Sequence, residues 1–229
     1  VKTSRRPPSR KVRVGLVLAL VILVVDIGLV TAALLRGFDD EAGPRQADTD
    51  DTSVLGDLVP DTSYVVSRVL PDGDVVVRQR IRAADPVHLV QLELPLVPGA
   101  DVSAHQVDVE ADGEPVVGPA SINDGLGTYT FAPATDLQIS YRITGAVELS
   151  GSVPGRALAV VTTLDISYGE QVERETRVVR AAEVLALACS RSVEQAPVPC
   201  GKADGEGRWT VELTGAHVAD RVVAQVTLG

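Results

Sequence analysis

The spacing of apolar residues changes twice along the chain. From Val14 to Leu35 almost every position is apolar, VGLVLALVILVVDIGLVTAALL, with Asp26 the one charge. A bilayer core of about 30 Å takes about 20 residues of helix at about 1.5 Å each, so this run predicts one N-terminal transmembrane α-helix. The alternative is a cleaved secretory signal. Its apolar region has only about 7–15 residues, although Thr31-Ala32-Ala33 offers small residues for cleavage.

Residues 36–60 carry acids and little periodicity and read as a flexible acidic linker. From residue 61 to 229 the pattern has period two, cut by Pro, Gly, Asn and Asp. Strands are predicted at Tyr64–Leu70 and Val75–Arg82 around Pro71-Asp72-Gly73-Asp74, then at His88–Leu94. Val102–Ala111 and Pro115–Val117 flank Asp112-Gly113, a hairpin signal. Further strands are expected at Thr128–Phe131, Leu137–Thr144, Arg156–Ile166, Arg208–Leu213 and Arg221–Leu228. The segment Gln171–Cys189 is ambiguous by propensity. Its place among β-patterned neighbours favours strands at Glu175–Arg180 and Glu183–Cys189.

This pattern predicts an all-β domain over residues 61–229, an antiparallel sandwich of Ig-like or elaborated form. A subdivision near 150–155 is an open alternative, because Pro and Gly cluster in SGSVPG.

Charge then orients the chain. Six of the 21 Lys and Arg residues lie in the stub of residues 1–13, which has no acid. The chain from residue 36 holds the other 15 bases against 30 of the 31 acids, a net charge of −15. Basic flanks stay on the cytoplasmic side. The expected location is therefore the cell membrane, single-pass, with a cytoplasmic N-terminus and an extracytoplasmic C-terminal domain. So acidic a domain argues against nucleic acid as a partner. Only Lys2, Lys11 and Lys202 among the bases are lysine, a bias typical of GC-rich bacterial genomes.

Within the apolar run, Gly15, Ala19, Ile22, Asp26, Leu29 and Ala33 fall on one helix face. Small residues let another helix approach, and an intramembrane Asp seeks a partner. Gly15, Ala19, Asp26 and Ala33 are therefore the candidate helix contacts, with another membrane protein or a second copy as the expected partner. The alternative is a lone anchor with a protonated Asp26.

Candidate chemistry in the β-region is sparse. Cys189 and Cys200 lie eleven apart, and in an oxidising compartment they predict a disulfide closing the loop Ser190–Pro199. His88, His105 and His217 stand apart, without metal-ligand or nucleophile motifs, and His88 is expected in the core. No catalytic residue, metal or cofactor is assigned. The 3% aromatic content is expected to serve the core rather than a glycan platform. The candidate surface is Arg78, Arg80 and Arg82, three guanidiniums on one strand face that could hold an anion or a partner. The competing reading is a solvated outer face.

These features together predict a non-enzymatic, membrane-anchored envelope protein of bacterial type. Its β-domain is a binding or scaffolding module, fitted to be an accessory subunit of a membrane complex. The alternatives are an envelope hydrolase or transferase with a site assembled from distant loops, and a secreted β-domain released by signal peptidase.

Overall fold

The computed structural model describes residues 58–161, 164–168, 172–205 and 207–229. The basic stub, the apolar run with its Gly15, Ala19, Asp26 and Ala33 seam, and nearly all of the linker lie outside the described residues. Among the described residues, no helix is long and apolar enough to cross a membrane.

The described chain is all-β. Its strands are β1 (Thr62–Val69), β2 (Val75–Glu93), β3 (Ser103–Ala111), β4 (Glu114–Pro115), β5 (Ser121–Ile122), β6 (Leu126–Thr144), β7 (Val147–Leu149) and β8 (Arg156–Val160). They continue with β9 (Asp165–Ser167), β10 (Arg174–Arg180), β11 (Glu183–Ser190), β12 (Val198–Pro199), β13 (Lys202–Ala203), β14 (Arg208–Thr214) and β15 (Arg221–Thr227). The larger sheet runs β13-β14-β10-β1-β2-β6-β3-β4, with β5 beside β3 and β9 beside β2. The smaller sheet runs β12-β11-β15-β8-β7.

Alternation decides what is buried. Val75, Val77, Gln79 and Ile81 of β2 point into the core, whereas Arg78 is exposed and Val76, Arg80 and Arg82 are half-buried. On β6, Leu137, Ile139, Tyr141 and Ile143 are buried. They join Val65, Val109 and Val179 of the large sheet and Ala159, Leu187, Val222 and Val226 of the small sheet in one hydrophobic cluster. Tyr129 and Tyr141 are both buried, as the scarcity of aromatics leads one to expect.

Two elements depart from the sequence pattern in a way that shapes the cleft described below. The predicted strands 75–82 and 88–94 are halves of one bent strand, β2, and 128–131 and 137–144 are halves of β6. The two run antiparallel, and their register shifts between Arg82 and Leu89. Pro86 lies in that interval and Pro133 lies in β6 opposite it. A proline ring has no N–H to give the ladder, so pairing loosens and the strands bend there. The bend is held by side chains: Asp61 Oδ1 accepts the Ala84 N–H at 3.2 Å, and Asp112 Oδ1 accepts those of Thr135 and Asp136 at 3.2 and 2.9 Å. His88 sits on this bend and is exposed, not in the core as expected, because sheet neighbours do not cover the face there.

The predicted strand 156–166 divides between the two sheets, as β8 and β9. The pairing of β1 with β10 is parallel, against the all-antiparallel expectation. A parallel neighbour needs a long return connection, and here everything from β2 to β9 lies between the two strands in the chain. Alternation within one strand does not encode it. At the other end, Thr214-Gly215 opens a 3-10 turn, Gly215–His217, that carries the chain from β14 in the large sheet to β15 in the small one. Asp112 and Gly113 take φ of 48° and 82°, the left-handed pair that a tight hairpin between β3 and β4 requires. The disulfide joins Cys189 of β11 to Cys200 just beyond β12, with Cα atoms 5.8 Å apart.

Candidate ligand-binding cleft

Two of the three arginines of β2 are met by an acid of the neighbouring strand β6. Arg80 donates to both oxygens of Asp136, from Nε at 3.0 Å and Nη2 at 2.5 Å, and Arg82 stands 3.7 Å from the same carboxylate. Arg78 and Arg80 border a groove of about 240 Å³ shared with Asp108, Glu110, Gln138 and Ser140. Nearby, Arg142 is clamped by Asp72 and Asp74 at the β1–β2 turn. This face alternates positive and negative groups rather than presenting a bare cationic row.

The histidines occupy three different settings. His88 lies on the β2 bend. His105 Nε2 meets Ser103 Oγ at 2.9 Å, and Ser103 Oγ also lies 2.7 Å from Thr144 Oγ1. Among the described residues, no acid meets the other ring nitrogen of His105. His217 Nδ1 lies 2.9 Å from Asp220 Oδ2. None of the three lines the cleft described next.

That cleft, of about 560 Å³, is bounded by β1, β2, β9, β10 and the segment after the 3-10 turn. Its floor is a buried polar network. Residues two apart on a strand share a face, so β10 turns Glu175 and Arg177 inward together. Each is only 4% exposed. Arg177 Nε donates to Glu175 Oε1. Its two remaining nitrogens donate to the carbonyls of Asp220 at 3.2 Å and Val218 at 3.1 Å, holding the segment that changes sheets. Gln79, 5% exposed, donates from Nε2 to Ser63 Oγ at 3.0 Å and to Glu175 Oε2 at 3.2 Å. Its Oε1 is buried and accepts no hydrogen bond. An unmet buried acceptor costs about 1–3 kcal/mol. Tyr141 stands behind this floor. Its hydroxyl accepts the Leu164 N–H at 2.9 Å, and burial pushes its pKa up, so the phenol stays neutral.

The mouth is acidic. Glu93 at the end of β2 and Asp165 at the start of β9 are direct cross-strand partners. Like charges so placed repel. Asp165 is open to solvent on one side, but the protein packed around its carboxyl strips part of its hydration and raises its pKa. The Glu93 charge adds to the rise and Arg177 opposes it. Leu126, Leu164, Ile166, Tyr168 and Val172 supply apolar walls. The described lining therefore sets three carboxylates against one guanidinium.

None of Gln79, Glu93, Asp165, Glu175 and Arg177 stands out in the sequence as a site residue. One signal was available: Gln79 occupies a row otherwise made of Val75, Val77 and Ile81, and an amide in such a row needs partners inside the core.

No family model matches the chain, and no curated protein matches it. Solved structures match it at low similarity. An aminopeptidase N family protein from Idiomarina loihiensis matches at 10% identity and a TM-score of 0.47, over 71% of this chain and 29% of that one. An M1 zinc metallopeptidase from Deinococcus radiodurans matches at 14% identity and a TM-score of 0.35, over 71% and 41%. The chain thus spans well under half the length of either protein.

Proposed function

We propose that this chain is a single-pass, membrane-anchored bacterial envelope protein with a cytoplasmic N-terminus, whose extracytoplasmic β-domain is a non-catalytic binding module. The domain is an elaborated, mostly antiparallel sandwich of Ig-like kind, and it serves as an accessory subunit of a membrane complex. The observation that carries this reading is the state of the cleft floor. Glu175 and Arg177 are bonded to each other, to Gln79 and to main-chain carbonyls. Groups so committed supply shape and charge rather than a reacting atom.

Three features support the setting. The Val14–Leu35 run has the length of a span. Its basic flank favours a cytoplasmic N-terminus. The Cys189–Cys200 bridge suits an oxidising compartment. The Asp26 face supplies the contact with a second membrane helix, in a partner or in another copy.

Co-purification in mild detergent tests this. The wild-type chain is expected to elute with a membrane partner or as a dimer, and Asp26→Leu to lose that association. If both run as monomers without a partner, the accessory-subunit reading fails. Intact-mass analysis of the same sample is expected to retain residues 14–35; a mature chain beginning after Ala33 would make it a secreted domain.

A further inference from the structure

We propose that the cleft between β2, β9 and β10 binds an organic cation, an ammonium or guanidinium group carried on a short apolar body. This rests on the binding-module reading and names the ligand class of the same site. Two independent observations point to it. The first is the unmet Gln79 Oε1, nine-tenths buried in the cleft wall and lacking a donor. Its amide orientation is fixed, because Nε2 already serves the Glu175 carboxylate, which can only accept. A donor must therefore come from outside the network. The second is the pair Glu93 and Asp165, held side by side by the β2–β9 register with their charges unrelieved by each other.

The sign of the ligand follows from the lining. An anion would face three carboxylates and a guanidinium that already donates in three directions. A cation relieves the Glu93–Asp165 repulsion and offers N–H donors to Gln79 Oε1. A metal ion fits less well. Among the described residues, no group of three or more His, Cys, Asp or Glu side chains is placed to hold one, whereas hard cations take six or more oxygens. The walls from Leu126, Leu164, Ile166 and Tyr168 are apolar or aromatic and suit a carbon chain or ring behind the charge. A volume of about 560 Å³ suits a small molecule or the end of a peptide.

Calorimetric titration of the full chain in mild detergent tests the assignment, with n-butylammonium as the probe and 1-butanol as its neutral counterpart. The ammonium is expected to bind and the alcohol to bind at least tenfold more weakly. The variant Glu93→Gln/Asp165→Asn is expected to weaken ammonium binding at least tenfold. Both side chains are exposed at the mouth, so the variant keeps its fold, which an unchanged or higher melting temperature verifies. In the wild type, the side-chain amide NMR signal of Gln79 is expected to shift on saturation. Equal affinity for the alcohol, or for the ammonium in the double variant, overturns the proposal, as does tighter binding of calcium than of the ammonium. Two further probes separate sources of the same chemistry: spermidine represents a free polyamine, and trileucine amide, with and without an acetylated N-terminus, represents a peptide amine. A chain that ignores every cation yet still co-purifies with a membrane partner overturns the ligand class alone and leaves the binding-module reading standing.

Discussion

Arg177 spends its guanidinium on one carboxylate and two carbonyls, all inside the protein. Truncation would strand Glu175 as a buried charge with only the Gln79 amide for company. Losing one partner of such a pair costs about 3–5 kcal/mol. Arg177→Ala is therefore expected to lower unfolding free energy by about that amount in denaturant titration, and Arg177→Ala/Glu175→Gln to recover part of it. Asp165 behaves in the opposite sense. Its folded pKa is raised, so the folded chain holds the proton more readily than the unfolded chain. The resulting stabilisation is complete below the unfolded carboxylate range and is lost as pH rises through the folded value. At neutral pH the wild type bears a crowded charge that Asp165→Asn does not. Thermal melts are expected to show the variant more stable than wild type at pH 7 and equal to it near pH 3. Neither residue was legible as functional in the sequence. Arg177 looks like any strand arginine until its facing partners are known, and Asp165 and Glu93 are 72 positions apart in the chain before the register brings them together.

At the scale of elements, legibility followed locality. Period-two alternation placed the inward and outward faces of the first half of β2 and the second half of β6. Asp112-Gly113 marked its hairpin, and β10 and β11 emerged as strands from an ambiguous stretch. Contacts made far along the chain were not legible. The parallel β1–β10 pair, the division of 156–166 between two sheets and the fusion of two pairs of predicted strands into the bent β2 and β6 all depend on distant neighbours. Pro86 and Pro133 each remove an N–H from the ladder. In the fold they become bends, because Asp61 and Asp112 satisfy main-chain N–H groups freed beside them. The cleft owes its shape to these bends, since Gln79 and Ile81 from one half of β2 line it together with Gln91 and Glu93 from the other. The Cys189–Cys200 bridge is a local feature and was legible by spacing. Closing so short a loop contributes on the order of 2–3 kcal/mol. Cys189→Ser/Cys200→Ser is expected to lose about that much in denaturant unfolding without loss of cation binding, because neither residue lines the cleft.

At the scale of the whole molecule, the proposed address rests on charge and hydropathy, and the proposed task on the cleft. An acidic β-domain beyond a basic stub and an apolar run fits a module displayed outside a membrane. Its own sheets divide the surface into two kinds of site. On the arginine face Arg80 and Arg82 share the Asp136 carboxylate, and Arg78 borders a groove that Asp108 and Glu110 also line, so the charge on offer there is small. The cleft has both an unspent carboxylate pair and an unspent acceptor. The working surface should accordingly be the cleft. Photo-crosslinking in intact membranes distinguishes them most directly, with benzoylphenylalanine placed either at Leu126, exposed on the cleft wall, or at Arg78, exposed on the arginine face. A working cleft predicts an adduct from position 126 that excess n-butylammonium suppresses, and none from position 78. Adducts formed from position 78 alone, or from 126 regardless of the ammonium, would contradict it.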